Sequence, residues 1–275
     1  MKQYLPKIIG FSINLISYFS SSRAAKIAIY IFSKPRKGKL KEEEINYLKS
    51  AIEKDIIYND FTLKTYHWKG NKETVLLAHG WESNSFRWKD LIEILRNLDY
   101  TVIALDAPAH GNSGSKTFNA LLYSECINVT LKQFKVDTII GHSVGGTASA
   151  IALDSNNKLS IKKLISLGAP SNFIGLVKSY NSMMGFNKNV IKAINTYYLK
   201  HFGYLPEYFT VANFSKNIQA KGLIIHDKKD RIIPYRDALE IKKHYQNAEL
   251  IKTMGFGHGL KSDKVYNHII EFLNT

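Results

Sequence analysis

In the segment "GHSVGG", residues 141–146, a glycine lies two residues before Ser143 and another lies two residues after it. The fold prediction for this chain depends on what this segment forms. An apolar run of strand length precedes it, and residues at helical spacing follow it: Val144, Thr147, Ala148 and Ile151. In a sharp strand-to-helix turn, glycines at the flanking positions Gly141 and Gly145 avoid backbone clashes, and the serine hydroxyl stands above the strand end. The segment therefore predicts either a nucleophile elbow centred on Ser143 or an ordinary glycine-rich turn.

Apolar runs of strand length alternate with helical patterns on both sides of this segment. The predicted strands are residues 61–70, 74–80, 101–107, 137–143, 161–170, 220–227 and 248–255. Helices are predicted over residues 41–57, 88–98 and 120–134, after Ser143, and at the end of the sequence. Strands that alternate with helices fold through right-handed crossovers into a mainly parallel sheet covered on both faces. The predicted fold class is therefore α/β.

One stretch, residues 171–219, interrupts this alternation and is rich in Asn, Tyr, Phe and Lys. We predict that it forms a small helical cap insertion at the end of the sheet where ligands bind. Its apolar side chains suit either an acyl pocket or the core of the cap itself: Phe173, Met183, Met184, Phe186, Tyr197, Tyr198 and Phe202. The predicted organisation is an N-terminal helical segment over residues 1–54, followed by the α/β domain over residues 55–275.

The composition is basic, with 38 Lys and Arg residues against 23 Asp and Glu residues and a formal net charge of +15. Residues 34–41 (KPRKGKLK) are the densest stretch, and no nucleic-acid-binding motif accompanies the lysines. We therefore expect no nucleic-acid partner. A solvated lysine-rich surface is the favoured explanation, and a weak preference for anionic lipid is the second.

Residues 1–32 are apolar but interrupted by polar positions, and they contain Arg23 and Lys26. We expect two helices that pack on the domain or lie at a membrane surface, with association through residues 1–40. A signal peptide is the second alternative, and a transmembrane anchor is the third because the two cations would cost a few kcal/mol each in a bilayer. The single cysteine, Cys126, allows no internal disulfide, which favours a reducing compartment and a cytoplasmic location.

A serine nucleophile needs a histidine base, and the base needs an orienting acid. His258 stands in the glycine-rich segment "GFGHGL" after the last predicted strand, and Asp230 stands in "HDKKDRIIP" after the preceding strand. The order Ser143, Asp230, His258 is the order that the elbow motif predicts, and each residue follows a strand of the parallel sheet. Asp227 competes with Asp230 for the role of the acid. We interpret His142, beside the serine, as supporting structure.

Five segments together resemble the signature segments of the α/β-hydrolase superfamily. They are "LLAHGW", "DAPAHGNSG", "GHSVGG", "HDKKDRIIP" and "GFGHG", and the resemblance covers about residues 55–275. It implies the α/β-hydrolase fold, a triad of Ser143, Asp230 and His258, and an oxyanion hole that includes the backbone N–H of Trp81. The N–H of Val144, at a helix N-terminus, is the second expected donor. Relatives that cleave carbon–halogen bonds or epoxides usually have aspartate at the elbow, so the serine argues against those reactions.

These observations predict a serine hydrolase that cleaves a carboxylic ester of a small-molecule acyl substrate through an acyl-enzyme. A thioesterase, a lipase-like enzyme or an aminopeptidase would use the same residues. An aminopeptidase needs acidic groups to hold the substrate amine, and residues 171–219 contain only Glu207. The alternative of another class is a non-catalytic binding protein with the same fold. No cluster with metal-ligand spacing and no phosphate-binding glycine loop is visible in the sequence, so no cofactor is predicted.

Overall fold

The computed structural model describes residues 4–156, 160–215 and 217–275. The strands are β1 (Ile52–Tyr58), β2 (Phe61–Trp68), β3 (Thr74–Ala78), β4 (Thr101–Leu105), β5 (Thr138–His142), β6 (Lys163–Leu167), β7 (Lys221–Asp227) and β8 (Ala248–Thr253). The helices are α1 (Leu5–Phe19), α2 (Ser21–Ser33), α3 (Glu42–Leu48), α4 (Lys89–Asn97), α5 (Ala120–Gln133), α6 (Val144–Asp154), α7 (Ile174–Met184), α8 (Lys188–Phe202), α9 (Val211–Phe214), α10 (Arg236–His244) and α11 (Asp263–Leu273). Short 3-10 turns occur at Ser85–Trp88 and Pro206–Tyr208.

The strands form an eight-stranded sheet in the order β1-β2-β4-β3-β5-β6-β7-β8. Every neighbouring pair from β4 to β8 is parallel, whereas β1 and β2 pair antiparallel at one edge. Strands β3 to β7 are almost wholly buried because helices cover both faces of a parallel sheet. The predicted α/β class and all seven predicted strands are confirmed. The carboxyl ends of the parallel strands β3 to β8 meet at the edge where the site lies.

The helix predicted over residues 41–57 is wrong in its second half. Helix α3 ends at Leu48, and residues 52–58 form the edge strand β1, which pairs with β2. Tyr58 faces Phe61, so Asn59 and Asp60 form a two-residue hairpin turn, with Asn59 at a φ of +50°. An edge strand with a solvent-facing side carries charged residues, and the charges of β1 imitate an exposed helix.

The described chain divides into two compact units. The sheet unit contains residues Pro35–Ser171 and Phe214–Thr275. One face of its sheet packs against apolar residues of α4 and α11, such as Leu91, Leu95 and Ile269. Cys126 is buried in this unit as a free thiol.

The helical unit contains the described residues up to Lys34 together with Asn172–Asn213. The two helices expected near the start of the chain are present as α1 and α2. Five of the seven side chains considered for an acyl pocket contribute to the core of this unit instead: Phe173, Met184, Phe186, Tyr198 and Phe202. No described helix has the combination of length and apolar composition needed to cross a bilayer.

Candidate active site

Ser143 occupies the turn between β5 and α6 in a backbone conformation that residues other than glycine rarely adopt. Its φ is +53° and its ψ is −129°. Such a conformation costs on the order of 1–3 kcal/mol and persists only where the surroundings impose it. Here the N–H of Ser143 donates to the carbonyl of Leu167 at 2.8 Å, and its own carbonyl accepts the N–H of Gly146 at 2.9 Å. Together, strand β6 and the first turn of α6 therefore hold the elbow in place.

Two glycines allow the backbone at the end of β3 to pass close to this turn. A Cβ atom on Gly145 would lie 2.5 Å from the carbonyl oxygen of His79, and one on Gly80 would lie 2.9 Å from Cβ of Ser143. Real Cβ atoms do not approach other atoms so closely, so both positions need glycine. Trp81 directly follows Gly80 at this edge of the sheet.

The N–H of Val144 is the first of helix α6 and therefore has no acceptor within the helix. It follows Ser143 directly, at the positive end of the helix dipole. The side chain of Trp81 is exposed on one side and contacts the rings of His110 and Phe118 on the other. The two expected oxyanion donors thus belong to the two segments that meet at the elbow.

The structure brings the three predicted catalytic side chains together. Nε2 of His258 lies 3.1 Å from Oγ of Ser143, and Nδ1 of His258 lies 2.7 Å from Oδ2 of Asp230. Oδ1 of Asp230 accepts the N–H groups of Ile232 and Ile233 at 2.8 and 2.9 Å, and the carboxylate is fully buried. Because a carboxylate only accepts hydrogen bonds, Nδ1 carries the imidazole proton and Nε2 is free to accept the serine proton.

Asp227, the competing acid, has a different set of partners. Its carboxylate accepts the N–H groups of Lys229, Phe256 and Gly255 and the hydroxyl of Thr253 at 2.8–3.2 Å. Burial opposes ionisation of this group, but the donors outweigh burial and hold its pKa below the ordinary value. Asp227 therefore fastens the end of β7 to the segment that leads to His258, whereas Asp230 contacts the imidazole.

His142 contacts His258, the predicted catalytic histidine, through a hydrogen bond and through its ring. Its Nε2 donates to the carbonyl of His258 at 2.8 Å, and the two ring centroids are 4.9 Å apart. Burial, followed by the charge of Arg87, keeps its pKa well below the ordinary value. The ring is therefore neutral and acts as a donor to the backbone, which agrees with the supporting role expected for it.

Two further histidines organise the segment that contains Trp81, and the sequence reasoning missed their role. The N–H of Glu82 donates to Nε2 of His110, and the N–H of Ala107 donates to Nε2 of His79, at 3.0 and 2.9 Å. Each Nδ1 donates to a nearby backbone carbonyl at 2.8 Å. Burial lowers the pKa of both residues to about 4, so both are neutral and can accept these bonds. The available signal was a histidine beside glycine in both "LLAHGW" and "DAPAHG".

Comparisons with known proteins agree with this architecture. The family model described as the alpha/beta hydrolase fold matches residues 73–189. The mouse protein named alpha/beta hydrolase domain-containing protein 10 superimposes with a TM-score of 0.66 at 16% identity, over 82% of this chain and 97% of that one.

Two curated relatives are similar to this chain in sequence. The Bacillus subtilis hydrolase YugF is 22% identical over 74% of this chain and 90% of its own length. The Vibrio parahaemolyticus pimeloyl-[acyl-carrier protein] methyl ester esterase is 28% identical over 52% of this chain and 54% of its own length. Apart from the Bacillus protein, the curated relatives align over about half of their length or less. Together, the sheet order, the elbow and these matches show that the chain has the α/β-hydrolase fold.

Proposed function

We propose that this protein is a serine hydrolase that cleaves a carboxylic ester, or a related acyl bond, through an acyl-enzyme. The observation that carries the proposal is the continuous line of hydrogen bonds from Ser143 through His258 to Asp230, 3.1 and 2.7 Å long. The strained backbone at Ser143 adds support because such strain concentrates at functional sites.

In the proposed mechanism, His258 removes the hydroxyl proton as Oγ of Ser143 attacks the acyl carbonyl. Asp230 keeps the proton on Nδ1 and stabilises the imidazolium that forms. The backbone N–H groups of Trp81 and Val144 donate to the oxyanion of the tetrahedral intermediate, at a few kcal/mol for each donor. His258 then protonates the leaving alcohol. In the second half of the reaction it activates the water that releases the acid.

An ester substrate is favoured because the Vibrio parahaemolyticus relative is named for ester cleavage. A thioesterase, a lipase-like enzyme and an aminopeptidase remain alternatives because they need the same nucleophile, base and oxyanion donors. An aminopeptidase also needs acids near the substrate amine, and residues 171–219 supply only Glu207. The partner that we propose is a small acyl substrate. The proposed reaction uses only side chains, backbone N–H groups and water, so it requires no cofactor.

The first experiment is labelling by a fluorophosphonate probe, which reacts covalently with activated serines. We expect the wild-type protein to be labelled, Ser143→Ala to be silent, and Ser182→Ala, at an exposed helix position, to be labelled like the wild type. Circular dichroism checks that Ser143→Ala is folded. A wild-type protein that resists the probe would favour the non-catalytic alternative, and a labelled Ser143→Ala protein would reject Ser143 as the nucleophile.

The second experiment compares bond types at a fixed acyl group. The wild type is assayed with p-nitrophenyl esters of increasing chain length, with thioesters and p-nitroanilides of the same acids, and with amino-acid p-nitroanilides against the p-nitrophenyl esters of the same amino acids. We expect the highest kcat/KM for an ester. A higher kcat/KM for the matched thioester or anilide would replace the ester assignment while leaving the proposed triad intact.

A further inference from the structure

Helix α1 has a face of large apolar side chains that no described part of the helical unit covers. The exposed positions recur every three or four residues and share one side of the helix: Tyr4, which caps it, and Leu5, Ile8, Phe11, Leu15, Tyr18 and Phe19. Tyr18 is 72% exposed and Phe19 is 94% exposed. The opposite side, around Gly10 and Ile13, is buried. The helix is therefore apolar on both sides, a pattern typical of helices with a second apolar environment.

Almost all the charged side chains of the helical unit are positive. The segments 1–34 and 172–213 contain nine Lys and Arg residues and one acid, Glu207. Three of the cations line a groove of about 500 Å³ between α2 and α8: Lys26, Lys192 and Lys200. The groove also contains Ser21 and Ser22, two and three residues after the exposed Phe19.

We propose that the helical unit binds the surface of an anionic membrane. Helix α1 lies in the plane of the interface with its exposed apolar face among the acyl chains, and the cations of the groove pair with lipid phosphates. Because α1 has 15 residues and a spanning helix needs about 20, the helix lies on the bilayer rather than across it. The tyrosines at both ends, Tyr4 and Tyr18, suit the headgroup level, where their rings are apolar and their hydroxyls stay hydrated.

Charge complementarity favours a lipid surface, rather than a second copy of the chain, as the partner that covers the exposed face of α1. Two copies that met through α1 would bring two strongly basic units together, and protein interfaces are depleted in lysine. An anionic bilayer supplies an apolar phase and a negative surface at once, which matches both features of the unit. This proposal does not depend on the chemistry of Ser143, so its failure would leave the proposed hydrolase activity untouched.

The test is co-sedimentation of the full chain with vesicles of phosphatidylcholine alone and of phosphatidylcholine mixed with phosphatidylglycerol. We expect partitioning onto the anionic vesicles that weakens as salt is added, because salt screens the charge attraction. The double substitution Ile8→Ser/Phe11→Ser should reduce partitioning by about tenfold or more because it removes two exposed apolar groups that would enter the bilayer. The triple substitution Lys26→Gln/Lys192→Gln/Lys200→Gln should reduce it by about tenfold on anionic vesicles.

Matched controls come from the sheet unit. Ile57→Ser/Met254→Ser changes two apolar side chains that are 81% and 62% exposed, and Lys132→Gln/Lys243→Gln/Lys264→Gln removes three exposed cations. Both control variants should partition within about twofold of the wild type. Equal binding of the wild type to both vesicle types, or wild-type binding by Ile8→Ser/Phe11→Ser, would overturn the proposal. So would a dimer in analytical ultracentrifugation that this variant dissociates, because a second copy would then cover α1.

Discussion

At the scale of single residues, the backbone of Ser143 is strained in the conformation that brings its hydroxyl to His258. Its φ of +53° is a conformation that favours glycine, yet a glycine there would remove the proposed nucleophile. The strain is held by the backbone bonds to Leu167 and Gly146. Stability and activity therefore make opposite demands at this position.

We expect Ser143→Gly to be more stable than Ser143→Ala by about 1 kcal/mol, with both variants inactive. Both variants lose the hydrogen bond to His258, so this bond does not contribute to the difference in their free energies of unfolding. The difference is the backbone strain that glycine relieves, reduced by the greater flexibility of glycine in the unfolded chain. Urea unfolding at pH 7 measures the difference. The control is Asn267 on α11, an exposed helix position, where Gly should be less stable than Ala by about 1 kcal/mol. The same order at both positions would mean that Ser143 is not strained.

At the scale of elements, two aspartates at the end of β7 position His258, which follows β8, in two different ways. Asp230 holds the imidazole of His258, and Asp227 holds the segment that carries His258, through four donors. A substitution that removes charge but keeps size should therefore have different consequences at the two positions.

We expect Asp230→Asn to lower turnover by about 10⁴-fold with little loss of stability. Its amide oxygen can still accept the N–H groups of Ile232 and Ile233, while its NH₂ group, facing His258, favours the wrong tautomer. Asp227→Asn should cost about 2–3 kcal/mol because an NH₂ group replaces one acceptor in a buried ring of donors. Ester hydrolysis and urea unfolding of both variants test this division. An Asp227→Asn protein with wild-type stability and a 10⁴-fold loss of turnover would contradict it.

The elements that could be predicted from the sequence are those whose pattern of apolar and polar residues fits only one kind of secondary structure. Buried parallel strands are continuous apolar runs, so β3 to β7 could be predicted, and the residues after β5, β7 and β8 with them. The edge strand β1 could not, because its exposed charges resemble a solvated helix. Helix α10 is short and amphipathic, with few buried residues, and it was not predicted.

Details within the site depend on geometry that the sequence does not carry. Asp227 and Asp230 are three residues apart, and the turn between them decides which one reaches His258. The roles of His79 and His110 depend on which ring nitrogen faces which backbone group. Likewise, apolar spacing predicts which residues of α1 share a face, but only packing decides which face is covered.

At the scale of the whole molecule, buried neutral histidines link stability to pH. The rings of His79 and His110 are 5.4 Å apart, and burial lowers the pKa of each to about 4. Burial also lowers the pKa of His142 well below the ordinary value. In the unfolded chain, histidine has a pKa of about 6.5. Between pH 6.5 and pH 4 the unfolded state therefore binds more protons than the folded state, and stability must fall as the pH falls.

We expect the free energy of unfolding to be undiminished by these groups above pH 7 and to drop steadily below pH 6.5. At pH 5, His79 and His110 should each cost about 2 kcal/mol, and below pH 4 the loss should level off as the folded state also takes up protons. Urea unfolding between pH 4 and pH 8 measures the slope. His110→Gln, which keeps an acceptor for the N–H of Glu82, should be less stable at pH 7 but lose about 2 kcal/mol less between pH 7 and pH 5. An unchanged slope in that variant would mean that His110 takes up its proton as readily in the folded protein as in the unfolded chain, so burial would not keep it neutral below pH 6.5.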